Sequence, residues 1–211
     1  MATSPATHNG IRIVTILGTT RPGNFTGMAL ALVEDELRRA GAEVDAVDPA
    51  ALELPFPGRG DSADAAALRA RVEAATGLVL ATPEYHGSFS SMLKLVIENL
   101  GFPSVLAGKP LALVGVAAGR IGAIKSLEQL RAVCSHVGAI VLPSAISIAQ
   151  VRQVFDPDGS CREPRVEKLL RSQARNLLDY LRRHVCPRLT LEALARGEID
   201  VEALALDGDG R

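Results

Sequence analysis

The chain has 211 residues, a little over one average domain, and 47% of them are hydrophobic against 22% charged, which places it among globular proteins and excludes wholesale disorder. Aromatic residues make up only 3%, and 23 basic residues stand against 24 acidic ones, so neither stacking platforms nor a phosphate-seeking field points to nucleic acid. Cys134, Cys161 and Cys186 lie far apart without a CxxC pair, which argues against a disulfide framework or a metal site and for a reducing, cytoplasmic compartment. Residues 1–10 lack the basic start and apolar run of a leader, and no stretch reaches the roughly 18 apolar residues of a membrane span. A soluble protein with a flexible N-terminus and no membrane partner is expected.

Ile11 to Leu17 is a β-branched apolar run ended by Gly18, and Gly77 to Ala81 and Leu111 to Val116 share that character, so all three read as strands covered on both faces. Ala29, Leu30, Val33 and Leu37 form a helical face closed by Gly41, and Glu43 to Val47 reads as the second strand. Pro49 to Asp61, with three prolines and two glycines, reads as an irregular loop, and Ala65 to Ala75 as a helix. Phe89, Met92, Leu93, Val96, Ile97 and Leu100 keep strict helical spacing after the third strand, where Pro83 is expected to end it. Ile124, Leu127, Leu130, Cys134 and Val137 mark the next helix, Ala139 to Leu142 the fifth strand, and Glu163 to Arg183 a long last helix that Pro187 is expected to break. Five strands alternating with helices require right-handed parallel crossovers, and the result is an α/β, three-layer, doubly wound five-stranded parallel sheet.

In such a sheet ligands bind beyond the carboxyl ends of the strands, so the segments that follow them carry the functional information. The first, GTTRPGNFTG from Gly18 to Gly27, leads into a helix N-terminus whose free N–H groups and dipole favour an anion, with Thr19, Arg21, Asn24 and Thr26 as further donors. The alternative is a plain strand-to-helix turn that Asn24 or Thr26 merely caps. The loop matches neither GxGxxG nor GxxxxGK[ST], which disfavours a dinucleotide or triphosphate there. The second segment is TPEYHGSFSSMLK, Thr82 to Lys94, and the third is GVAAGRIGAIKSLEQLR, Gly115 to Arg131.

Taken together, the first two loops resemble the phosphate loop and the PEY(N/H)G flavin loop of the NAD(P)H-dependent FMN reductase family, and the third resembles that family's glycine-containing turn after strand four. The similarity spans roughly residues 11 to 180 and implies a flavodoxin-like fold with strand order 2-1-3-4-5. It implies that Thr19, Arg21, Asn24, Phe25 and Thr26 hold the phosphate of a non-covalent FMN. It places Pro83, Glu84, Tyr85, His86 and Gly87 along the isoalloxazine, with Ala117, Ala118, Gly119 and Arg120 closing its other side. Backbone donors at the flavin's N1, N5 and carbonyl edge would tune its electron affinity, so no protein acid, base or nucleophile is demanded. No catalytic side chain and no metal ligand is therefore named.

Many relatives carry Asn where this chain has His86, and the imidazole reads either as a proton donor or as a solvated loop residue. Arg120 is placed to meet the flavin's pyrimidine edge or the 2′-phosphate of NADPH, or else simply to solvate its loop. Cys134 reads as a core residue, with His136 facing outward. The resemblance implies hydride transfer from NADPH or NADH through flavin N5 to a small acceptor by a ping-pong mechanism, the acceptor being a quinone, an azo compound, a metal oxyanion or free flavin. The other reading is a flavodoxin-type carrier that docks protein partners, although such carriers are usually strongly acidic. It also implies a homodimer or homotetramer, with Leu95, Asn99 and Phe102 offered as the second apolar face. Where many relatives have an aromatic after an Asp, this chain reads IENLGF, and Phe102 is the expected substitute. The flavin-binding domain is set at 11–187. The extension 188–211, acidic and carrying Leu191, Leu194 and Ala195 and then Val201, Leu204 and Ala205, is expected to dock by its leucines with its acids near the basic ridge of the last helix.

Overall fold

The computed structural model describes residues 10–197. Parallel strands β1 (Arg12–Leu17), β2 (Glu43–Val47), β3 (Gly77–Tyr85) and β5 (Pro110–Val116) line up as β2-β1-β3-β5, and the fifth position is shared by β6 (Ile140–Val141) and β7 (Ile146–Ile148). Counting the parallel positions in chain order gives 2-1-3-4-5, the flavodoxin-like order expected from the sequence. All seven residues of β5 are buried, as a central strand covered on both faces requires. Helices α1 (Phe25–Arg39) and α5 (Pro164–Tyr180) cover one face, while α2 (Ala63–Ala74), α3 (Ser91–Glu98) and α4 (Ile124–His136) cover the other. Each face has its own apolar cluster. Leu37 and Leu177 are fully buried in the first and Leu68, Leu93 and Leu130 in or near completely so in the second, and truncating any one of them to Ala costs about 2–5 kcal/mol. Cys134 is wholly buried, which pushes its thiol up to about 12, while His136 is exposed.

Several elements differ from the sequence reading, each for a local reason. Pro83 does not end β3. The residue sits opposite Val116 of β5, and its nitrogen points to the side where β1 has already left after the Leu17–Ala81 pair, so its missing N–H removes no ladder bond. The strand then folds back through β4 (Ser88–Phe89), an antiparallel partner of Glu84 and Tyr85, so Phe89 belongs to a hairpin and α3 begins at Ser91. The fifth strand is split because Pro143 lacks a donor and Ser144 takes a left-handed φ of 66°; the ladder resumes opposite Val114–Val116. Within the proline-rich loop, Pro49–Ala51 forms a single 3₁₀ turn capped by Asp48.

The last helix does not stop at Pro187. A π-helical stretch over Leu181–Val185 carries it into α6 (Cys186–Ala195), where proline occupies the first turn and its absent N–H is no loss. The boundary expected at 187/188 thus falls inside a helix. Cys186 and Ala193 are the buried residues of α6, whereas Leu191 is 66% exposed, so the Leu191, Leu194 and Ala195 stripe is not the face that packs. The second stripe, Val201, Leu204 and Ala205, and most of the acidic stretch lie outside the described residues. The basic ridge of α5 already has partners: Arg171 bonds Asp35, Glu36 and Glu167, and Arg175 bonds Glu36, all but Glu167 on α1. On α4, Ile124 is largely exposed rather than on the buried face. Asn99 is buried with its amide donating to the Pro55 and Leu95 carbonyls, which removes it from the proposed second face and leaves Phe102, 90% exposed.

Candidate functional site

The end of β1, the end of β3 and the start of α3 are brought together by one buried knot. Gly18 donates its N–H to the Ala81 carbonyl at 2.7 Å, and a side chain at Gly18 would run into that same carbonyl oxygen. Only glycine lets the first loop cross so close to β3. Ser90 donates its hydroxyl to the Gly18 carbonyl and accepts from Leu93 N–H as the N-cap of α3, while its own N–H bonds the Thr82 hydroxyl at 3.1 Å. The first two loops are thereby fixed to one another by buried groups.

From that crossing the first loop runs to the N-terminus of α1. Asn24 caps the helix, accepting from Gly27 N–H at 2.6 Å, and donates to the Arg21 carbonyl at 2.7 Å. Its side chain is therefore spent on the loop, as the capping alternative had it. Among the described residues the N–H groups of Phe25 and Thr26 meet no acceptor, the ordinary condition of a first helical turn and a ready anion site. Thr19 is buried beneath the loop, 3.4 Å from the Tyr85 hydroxyl, and the Arg21 guanidinium lies 5.2 Å from the Tyr85 ring centre.

The second loop is a two-residue hairpin turn with both central residues in left-handed conformation, His86 at φ 51° and Gly87 at φ 75°. That turn type prefers Asn-Gly, and its twist suits the strands it joins. Glu84 accepts from Ser126 N–H at 3.2 Å at the start of α4, a helix whose own N-cap, Ala123, offers no side-chain bond. Gln129 of α4 grips the same hairpin, donating to the Gly87 carbonyl and accepting from the Ser88 hydroxyl. His86 is exposed and has no hydrogen-bond partner among the described residues.

The third loop is held from the far edge of the sheet. Ala117 N–H bonds the Ile148 carbonyl, Val151 N–H the Ala117 carbonyl, and Gln150 N–H the Gly119 carbonyl, with Gln150 itself left-handed at φ 48°. Ser147 accepts from Ala123 N–H at 2.9 Å, and a side chain at Gly122 would come within 2.6 Å of that hydroxyl. Ala117 is buried at the end of β5, whereas Ala118, Gly119 and Arg120 are exposed.

These loops enclose a groove of about 360 Å³, with Arg21, Asn24, Phe25 and Thr26 at one part of its wall, Pro83, Glu84 and Tyr85 along another, and Ala117, Ala118, Val151 and Arg152 along a third. Across Tyr85 and Arg21 lies a more open hollow of about 600 Å³ that His86, Phe89, Ser90 and Lys94 help to line. The expected residues thus fall into three groups. Nine of them, Arg21, Asn24 to Thr26, Pro83 to Tyr85, Ala117 and Ala118, line the groove; His86 borders the outer hollow and Thr19 supports from below; and Gly87, Gly119 and Arg120 lie outside the wall. Sequence reasoning missed Val151 and Arg152, although they follow the fifth strand, where the same strand-end rule applies. It also missed Ser90 and Gln129, whose roles depend on partners 72 and 42 residues away.

Residues 11–153 match the family model described as NADPH-dependent FMN reductase. Among curated proteins, the NADPH azoreductase of Bacillus sp. (strain OY1-2) is 34% identical over 140 residues, covering 64% of this chain and 75% of that protein. The quinone reductase of Escherichia coli (strain K12) is 32% identical over 140 residues, 63% of this chain and 73% of its own. Among solved structures, the flavoenzyme NAD(P)H:(acceptor) oxidoreductase from Paracoccus denitrificans superposes with a TM-score of 0.68 at 22% identity, over 82% of this chain and 98% of the other, a likeness of fold.

Proposed function

The chain belongs to the NADPH-dependent FMN reductase family, an oxidoreductase with FMN as cofactor and NAD(P)H as donor, and from that premise we propose that it passes electrons to a small oxidised acceptor by a ping-pong mechanism. The observation that carries the reading is the groove itself, with open helix N–H groups and Arg21 in one part of the wall and the Pro83–Tyr85 and Ala117–Ala118 segments along the rest. That arrangement fits a ligand with an anion at one end and a flat ring system at the other.

Bound FMN supplies the redox chemistry, taking a hydride equivalent from NAD(P)H and giving two electrons to the acceptor. The protein's part is to bind and orient. Phe25 and Thr26 N–H with Arg21 would hold the phosphate and the Pro83–Tyr85 and Ala117–Ala118 backbones would border the ring; Gly18, Thr82 and Ser90 keep the first two loops in register, and the Gln150 and Val151 bonds hold the third. Glu84 and Gln129 stiffen the hairpin through α4, so its amides are pre-positioned and do not reorganise during the reaction. No side chain is required as acid or base, and His86 remains at the outer hollow. That open hollow suits donor and acceptor arriving in turn, and a quinone, an azo compound, a metal oxyanion or free flavin can serve as acceptor. Assembly into a homodimer or homotetramer belongs to the same reading, with Phe102 and Phe56, 90% and 70% exposed, as the apolar surface to be covered.

The test is anaerobic stopped-flow mixing of the FMN-loaded, full-length protein with NADPH. Rapid loss of the oxidised-flavin absorbance, and its return on adding a quinone, is the expected result. Absorbance that persists through many equivalents of NADPH and NADH rejects the reductase reading in favour of a carrier.

A further inference from the structure

We propose that Arg152, on the turn after β7, is a second cation for the phosphate end of the groove and sets the preference for a phosphorylated flavin; this rests on the FMN reading above. Val151–Gln153 form a 3₁₀ turn whose entry residue is the left-handed Gln150, and two backbone bonds, Gln150 N–H to Gly119 O and Val151 N–H to Ala117 O, clamp it to the third loop. Val151 and Val154 are buried in the same apolar cluster that Phe25 and Met28 of α1 pack against. Arg152 is therefore carried by a clamped turn, and it shares the groove wall with Asn24, Phe25 and Thr26.

Its charge is unmatched. Asp156, four residues on, is bonded to Arg162 instead, and no acceptor among the described residues meets the Arg152 guanidinium. Among the other exposed arginines, Arg38, Arg39, Arg162, Arg175 and Arg188 meet carboxylates while Arg59, Arg120, Arg165 and Arg183 meet none among the described residues, and what sets Arg152 apart from the latter is its place in the groove wall. Arg21, the other cation of the groove, lies over the Tyr85 ring and borders both cavities, so it is shared between the groove and the outer hollow. A phosphate monoester carries close to two negative charges at neutral pH, while a helix N-terminus contributes the equivalent of about half a positive charge and Arg21 one. Arg152 supplies the remainder.

The experiment titrates flavin-free, full-length protein with FMN and with riboflavin, following flavin fluorescence, for the wild type, Arg152→Ala and Arg152→Lys at low and high salt. Arg152→Ala is expected to weaken FMN by about ten- to a hundredfold, the range for a hydrogen bond to a charged group, and to flatten its salt dependence while riboflavin affinity stays put. Arg152→Lys is expected to restore part of the loss, since a point charge remains without the fork. Unchanged FMN affinity in Arg152→Ala overturns the proposal, and so does an equal loss for both flavins, which would mark a structural role. A raised KM for NADPH with FMN affinity intact overturns it too, assigning the side chain to the donor. If the wild type itself binds FMN no better than riboflavin, the phosphate assignment of the whole loop fails, a result distinct from the failure of Arg152 alone.

Discussion

Arg171 and Arg175 on α5 and Arg21 and Arg152 at the groove are the same side chain in opposite surroundings. The first pair sits along the seam with α1, where Asp35 and Glu36 face it and Glu167 adds a third carboxylate. The second pair makes no ion pair among the described residues; it shares the groove wall with the first turn of α1, an aromatic ring and Glu84, whose carboxylate accepts from Ser126 N–H. At the seam the cations neutralise acids and the helices pack. At the groove, two cations and the helix-end amides stand beside a single carboxylate that is bonded to α4 instead. The difference separates charges that hold the fold from charges that await a ligand, and net charge hides it, since the chain as a whole stands at −1.

The largest effect expected from this contrast is at Arg21. Arg21→Ala should weaken FMN by about 1.5–3 kcal/mol and leave riboflavin affinity and the melting temperature of the flavin-free protein unchanged, as read by titration and calorimetry. A large drop in melting temperature would show that Arg21 belongs with the seam. The reverse pattern is expected at Arg171, whose loss leaves Glu167 without its arginine and Asp35 and Glu36 with only Arg39 and Arg175. Arg171→Ala should cost about 1–2 kcal/mol of stability, discounted for the partial exposure of its partners, with Tm falling about 2–4 °C per kcal/mol and FMN affinity intact.

How much of this was legible in the sequence divides along the same line. The strands and their order were readable because β1, β3 and β5 are apolar on both faces, and the loops after them because glycine, proline and Arg21 punctuate the strand ends. What escaped depends on which chemically plausible partner is chosen in space. The ridge of α5 was visible as charge, but the acidic extension is nearer in sequence than the acids of α1 that meet it, 136 and 139 residues away. Pro83 and Pro187 both read as breaks, yet each sits where its missing N–H faces no acceptor, a fact set by the neighbouring strand in one case and by a π-helical turn in the other. Arg152 was overlooked for the opposite reason, since nothing in its local sequence marks it and only the clamp between Gln150 and Gly119 brings it to the groove.

Acid should separate the two regions again, with a smaller effect. At the seam, Arg171 bonds Asp35 and Arg171 and Arg175 bond Glu36, and both carboxyls titrate below their usual range; at the β2 edge, Arg71 and then Arg12 do the same for Asp45. A carboxyl lowered on folding adds stability that is fully present above its unfolded pKa, near 3.8 for Asp and 4.5 for Glu, and that is lost as pH falls through the folded value. The fold should therefore hold its stability down to about pH 4.5. The groove should weaken earlier, because a phosphate monoester takes up its second proton near pH 6 and arrives with one charge fewer. FMN affinity is expected to fall by about three- to tenfold between pH 7.5 and 5 while riboflavin affinity and Tm stay nearly flat. Parallel loss of stability over that window would mean that the seam carboxyls are not held by their arginines.

The smallest expected effect concerns His86, which borders the outer hollow beside Arg21, Tyr85 and Lys94. His86 occupies the first left-handed position of the hairpin turn, where Asn is better accommodated because its short polar side chain tolerates that conformation. A left-handed non-glycine residue stores about 1–3 kcal/mol, of which Asn relieves only part, so His86→Asn should raise stability by a few tenths of a kcal/mol. The hairpin itself is gripped by Glu84 and Gln129, neither of which contacts the imidazole, so its backbone should keep its place against the flavin. The pH dependence of FMN binding should then be superimposable on that of the wild type, since the charge that changes belongs to the phosphate. A curve of changed shape would instead give residue 86 a part in ligand binding alongside Arg21 and Arg152.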